Sequence, residues 1–515
     1  MDYDYDQDLY AKPIEEEDYH DYYHDHDLEG QPNMDDVFYG GDGFGMETLT
    51  QIYEHCLIPT LMDAIRHVGK LVFWCIMFRI LTQAGNRATG GVGGMPMWTS
   101  HLASIAIGVV VLAHFFYYNT VYPIALTASS FIFLHLLHKI LGRYRGVGMA
   151  IFCVSFNIFC ELYLAYPHDW QTIRGVQMIL SMKLISLGFD MDNFAQQEES
   201  SKQEKEAESK ENRSGSICNF NKVPTIFEYF GYALCPATCI FGPWIKYSDY
   251  LQIFDNPRWN ATWLVKIIFT LFFACMFLSI STCWNPWLIP NGNWKWWLAY
   301  RDAMSFRASH YFVSYLGEAT AVAGGLGFNS EQNNWNNMQI VQPHNIEVPR
   351  SLVDVVVSWN IPMHRWLKTY CFKPTYKRFG KFLAILATFG GSTFLHGLNF
   401  QLGAVLFSLG FYTYIEHTLR ERLAQIFNAS ITARRPKIES GVVYRHREGE
   451  FLVILVNLFF GLVACFHLAY LGLMFDQQPT QEEGYSWRHT ISKWESLEFL
   501  SHKVAFFQFF LTLVV

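Results

Sequence analysis

Residues 382–415 read FLAILATFGGSTFLHGLNFQLGAVLFSLGFYTYI, 34 residues without Asp, Glu, Lys or Arg. A helix crossing a hydrocarbon core needs about 20 mostly apolar residues, so this run holds two spans joined by a tight turn. Outward from it, Ala88 to His138, Ile267 to Trp294 and Phe451 to Phe475 also lack all four charged types. The first of these has room for two spans. Weaker apolar stretches lie at 66–82, 147–166, 173–190, 226–248, 308–327 and 502–515. Several contain Gly, Pro or polar residues, which suits broken or re-entrant helices lining a protein-enclosed space. The spacing predicts an all-α polytopic membrane protein with roughly nine to eleven membrane elements. Trp284, Trp287, Trp294, Trp296 and Trp297 sit at run edges, as interfacial aromatic belts do.

Composition agrees. Only 16% of the 515 residues are charged, against roughly 25% in soluble domains. The formal charge of -8 is uneven: residues 1–36 hold 14 acids and one base, Lys12, for -13, which leaves +5 for the rest. Such a chain lacks the clustered basic face of a nucleic-acid binder. Residues 1–45 are expected to form an acidic disordered tail and 46–515 a membrane domain interrupted by a disordered cytosolic loop at 193–222, rich in charge and poor in apolar residues. His20, His24 and His26 are read as part of the solvated tail rather than a metal site. The acidic start has no apolar core segment, so no cleavable signal peptide is expected.

Basic residues gather at 139–145, 365–381 and 420–447, which the positive-inside rule places in the cytosol. Two spans between 382 and 415 keep the last two clusters on one side. The 11 cysteines show no CxxC pair; a zinc site or disulfide framework is not expected, and buried inert thiols are the default. Of the sequons at Asn212, Asn260 and Asn428, only Asn260 falls outside segments assigned to the cytosol.

GGVGG at 90–94 lacks the Lys-Ser/Thr of a phosphate loop, and neither GxSxG nor HExxH occurs, so those hydrolase and zinc-protease templates fail. His396, in the middle of the 34-residue run, is an ionisable group at membrane depth, where such groups are costly and mark function. Gly390, Gly391 and Ser392 precede it and Gly397 follows, so the backbone around the imidazole is open to a close approach. Asn360, between Trp359 and Pro362, is either a helix cap or an amide able to donate to a carbonyl. A His base and a fixed amide donor in a membrane cavity suit acyl transfer from a thioester to an alcohol.

SWNIPMHRWL, with the FLHG histidine 36 residues after Asn360, resembles the Asn/His signature of the membrane-bound O-acyltransferases. RGVQMILSMKLISLGFD (174–190), FGPWIKYSDYLQ (241–252), YFVSYLGEATA (311–321) and FHLAYLGLMFD (466–476) extend the likeness over most of residues 50–515, toward the branch that acylates Wnt proteins on serine. The resemblance implies tilted helices around a channel crossing the endoplasmic reticulum membrane. Palmitoleoyl-CoA would enter from the cytosol and a serine on a Wnt hairpin from the lumen, enabling Wnt secretion and signalling. It assigns His396 as general base and Asn360 as the residue that orients or polarises the thioester. Trp359, Met363, Trp366, Ser392 and Leu395 are the expected substrate-binding residues, with membrane lipids as further partners and no metal or resident cofactor. The stretch from Arg365 to Lys381 either meets CoA phosphates or only sets topology. The Asn-rich loop 329–345 matches poorly and either borders a substrate entrance or is variable surface. Two other functions fit the same residues: O-acyl transfer to a lipid or another secreted protein, and a non-catalytic membrane chaperone for acylated clients.

Overall fold

The computed structural model describes residues 48–87, 96–205, 223–255, 259–436, 443–475 and 487–515. The expected tail 1–45 lies outside these residues, as do 206–222 of the expected loop. Residues 193–205, also expected to be disordered, instead continue a helix, and their Gln, Glu and Lys are strong helix formers.

The first half of the chain forms α1 (Ile58–Arg87), α2 (Met97–Phe116), α3 (Val121–Ile140), α4 (Arg145–Phe159), α5 (Pro167–Lys205), α6 (Ile226–Ala233), α7 (Tyr247–Asp255) and α8 (Ala261–Ser279). The second half forms α9 (Lys295–Ala323), α10 (Leu352–Trp359), α11 (Ile361–Leu367), α12 (Lys373–Leu395), α13 (Phe400–Phe427), α14 (Phe451–Gly472), α15 (Trp487–Ser496) and α16 (Leu500–Val514). Among the described residues there are two isolated β-bridges outside these helices.

The two longest charge-free runs are each divided between two helices. From the 51-residue run come α2 and α3, with the reversal at Tyr117–Thr120. Tyr118 and Asn119 there donate to one carboxylate oxygen of Asp169 at the start of α5. Both arms grip α6: the Ser104 hydroxyl donates to the Gly231 carbonyl at 2.8 Å, and Tyr229 donates to Ser130 at 2.9 Å. The 34-residue run supplies the end of α12 and the start of α13, joined at 396–399.

The stretch 226–248 is a broken helix. Only its first turns are helical, and the irregular backbone that follows is buried. Buried backbone polar groups need partners, and the fully buried Lys183 of α5 supplies them. Its ammonium donates to the carbonyls of Tyr232 and Ala233, at the end of α6, and to the Thr238 hydroxyl. A cation at a helix C-terminus also complements the helix dipole.

By length and apolarity, four helical stretches suffice to cross a membrane: Met97–Ile140, Arg145–Leu164, Ala261–Leu288 and Phe451–Phe475. The pair α15 and α16, bent by 77°, is a fifth if counted as one. That criterion does not reach the expected nine to eleven. Helices such as α5 and α9 carry charges that turn inward and pair: Arg145 with Asp192 at 2.8 Å, Arg307 with Glu347 at 2.8 Å, and Lys266 with Glu318. Outer faces are apolar, with Phe451, Leu455, Leu458, Phe459 and Leu462 exposed along α14.

All three basic clusters lie at one end. Arg145 pairs with Asp192, Tyr370 donates to the neighbouring Asp190 at 2.7 Å, and Lys381 meets His417 at 3.3 Å. Arg79 of α1 lies over the rings of Trp259, Trp263 and Trp335, which fastens α1 to the start of α8 near this end. At their other ends, Cys56 and Cys283 are joined by a disulfide. This pair corrects the expectation of inert thiols: 227 residues separate the partners, and only the antiparallel packing of α1 and α8 brings them together. A native disulfide contributes roughly 2–4 kcal/mol. Cys283→Ser is therefore expected to lower the melting temperature of the detergent-solubilised protein, and added reductant to do the same to the wild type but not to the variant. Unchanged melting in both cases would show that the bond does not hold these helices.

Candidate active site

His396 ends α12. Its N–H bonds back to the carbonyls of Ser392 and Thr393 at 3.3 and 3.1 Å, and the chain then leaves the helix through Gly397 at φ +86°. A Cβ at Gly397 would lie 2.8 Å from a carboxylate oxygen of Glu161. That carboxylate accepts the N–H of Leu398 at 3.0 and 3.2 Å. The turn after the imidazole is thus docked on the end of the Arg145–Leu164 span, and glycine is required both for the left-handed backbone and for the close approach. The imidazole itself has no hydrogen-bond partner among the described residues. Arg174 of α5 and His310 of α9 lie within electrostatic reach of it. A Cβ at Gly390 would meet only Phe407, at 3.9 Å, so space remains one turn and a half before His396.

Asn360 occupies the joint between α10 and α11, with φ -147° and ψ 91°. It is a helix cap. Its Oδ1 accepts the Met363 N–H at 3.0 Å, which caps α11 ahead of Pro362. Because the cap uses only the carbonyl half of the amide, the Nδ2 donors remain without a partner among the described residues. The joint is held from outside by Ile361, which donates to Ile340 at 2.8 Å, and by Gln342, which donates to Ser358 at 3.1 Å.

The expected substrate-binding residues divide between two sides. Met363, Trp366 and Leu395 share one apolar cluster. Trp366 is a fixed wall there, buried and donating its indole N–H to the Met182 carbonyl at 3.0 Å. Ser392 is buried one turn before His396. Trp359 belongs to a different cluster, around Phe277, Tyr311 and Val355. Stacked on Trp359 is a residue the sequence did not single out, His310, at 4.2 Å and 6° between ring planes. Its only sequence signal was a place in the interrupted apolar stretch 308–327.

At the basic end lies a separate cavity of about 220 Å³, lined by Asp249, Gln252, Gly325, Gly327, Asn337 and Arg365. The Asn-rich loop therefore borders a cavity, and it shares that cavity with the first residue of the basic stretch. His364, outside the spanning helices, is pushed down to about 4, first by burial and then by the cations Arg434, Lys368 and Arg365. Asn260, the remaining sequon, caps α8 and accepts from Trp263 N–H and the Trp335 indole, so its amide serves the fold.

A family model described as MBOAT, membrane-bound O-acyltransferase family, matches residues 158–436, which include Asn360 and His396. The chain is 35% identical to "Protein-serine O-palmitoleoyltransferase porcupine" of Homo sapiens, over 89% of this chain and 96% of that protein. It is 30% identical to the Drosophila melanogaster protein of the same name, over 94% of this chain and 93% of the relative. Similarity to "Lysophospholipid acyltransferase 1" of Arabidopsis thaliana is 26% over only 49% of this chain. With the family model matched over more than half of its length and relatives at 30% identity or more over nearly all of it, the chain belongs to the membrane-bound O-acyltransferase family and is an acyltransferase.

Proposed function

We propose that this protein transfers a palmitoleoyl group from palmitoleoyl-CoA to a serine hydroxyl of Wnt proteins in the endoplasmic reticulum membrane. The observation that carries the reading is likeness over nearly the full length to relatives named as protein-serine O-palmitoleoyltransferases, whereas the lysophospholipid enzymes match about half of the chain.

In this reading the basic end faces the cytosol, by the positive-inside rule. The opposite end, with Cys56–Cys283, then faces the oxidising lumen in which disulfides persist. Acyl-CoA enters at the basic end, where Arg365 and the neighbouring bases attract its phosphates. The acyl chain packs against the apolar wall of Met363, Trp366 and Leu395. His396 takes the proton of the serine hydroxyl as that oxygen attacks the thioester carbon. The Nδ2 of Asn360 donates to the thioester oxygen as negative charge develops on it. The C–S bond breaks, CoA leaves as the thiol after receiving the proton from His396, and the ester stays on serine.

The test is acceptor competition with palmitoleoyl-CoA and purified protein. A disulfide-bonded Wnt hairpin peptide should be acylated on serine in preference to a lysophospholipid or a sterol. Preferential acylation of the lysophospholipid would support the lipid-modifying alternative, and stoichiometric peptide binding without CoA release would support the chaperone.

A further inference from the structure

We propose that His310 is a positioning residue for this reaction, which holds the Trp359–Asn360 peptide in the orientation that aims the Asn360 amide. The argument begins with α10. A helix of eight residues leaves its last carbonyls without intrahelical partners, and the chain turns out of the helix at Asn360, so the Trp359 carbonyl needs a donor from elsewhere. His310 provides one from α9: its Nε2 lies 2.9 Å from the Trp359 oxygen. A carbonyl can only accept, so the proton of the neutral ring is on Nε2. The same ring lies flat on the Trp359 indole at 4.2 Å. One side chain therefore fixes both the backbone and the ring of the residue bonded to Asn360.

The support is itself anchored. Arg307, one turn before His310, pairs with Glu347 at 2.8 Å, and Tyr311 donates to the same carboxylate. Ser314, one turn after, places its hydroxyl 3.4 Å from His310 Nε2. This polar face of α9 holds the segment that leads into the α10–α11 joint. His310 also lies within electrostatic reach of His396. With Nε2 engaged by the Trp359 carbonyl, the part assigned to it here is to fix geometry. Small displacements of a positioned group cost much of its effect on the transition state.

The inference rests on the assignment of Asn360 given above, and a double-mutant cycle separates the two. H310F keeps an aromatic ring on Trp359 without the donor, and H310Q keeps an amide N–H able to reach the carbonyl. H310F is expected to lower kcat about five- to tenfold, the worth of one hydrogen bond, with KM for palmitoleoyl-CoA little changed, and H310Q to recover most of the loss. In an Asn360→Ala background H310F should cost less than about twofold more, because it acts through a group already removed. An impaired N360A with a fully additive H310F would overturn the role of His310 alone. Wild-type turnover by N360A would overturn both assignments. If H310F fails to fold, H310Q is compared with H310N, whose shorter amide does not reach the carbonyl; equal activities would contradict the proposal.

Discussion

Replacing His396 by alanine is expected to reduce acyl transfer about 10²- to 10⁴-fold, the range that a positioned general base contributes. The loss should fall on kcat. The imidazole has no hydrogen-bond partner among the described residues, so its removal breaks no network, and the turn after it is held by the Leu398 N–H on Glu161 rather than by the ring. The alanine variant should therefore purify as a monodisperse species, bind palmitoleoyl-CoA and fail to turn it over. Loss of binding together with loss of turnover would instead assign His396 a structural part.

Asn360→Ala is expected to lower kcat by about 10²- to 10³-fold, the cost of removing one oxyanion donor. It also removes the cap on α11, worth roughly 1 kcal/mol. Asn360→Ser separates the two effects, because its hydroxyl can still accept the Met363 N–H while falling short of the substrate. Serine should match wild type in melting temperature and alanine in inactivity. If the serine variant regained full turnover, the amide would be a cap and nothing more.

The legible features were local ones. Charge-free runs long enough for two spans became α2 with α3 and the hairpin of α12 with α13, since helix length and bilayer thickness are set by the same few numbers. The cap at Asn360 was readable from its neighbours Trp359 and Pro362. What escaped depended on distant partners. The helix in 226–248 can end in a buried place because Lys183, more than 40 residues earlier, takes its last carbonyls. Cys56 has no significance until α1 and α8 align it with Cys283. His310 was one histidine among 19 until folding set it on Trp359. A count by length and apolarity passes over α5 and α9, because their charges are neutralised by partners from other helices and no sequence window contains both members of those pairs.

The most direct test of the central claim is a single-turnover measurement of CoA thiol release and serine acylation, with palmitoleoyl-CoA and a disulfide-bonded Wnt hairpin peptide, on wild type and His396→Ala side by side. The account predicts one acylated serine per CoA released by the wild type, and palmitoleoyl-CoA bound but intact on the variant. Acylated peptide formed by the variant at the wild-type rate would contradict it.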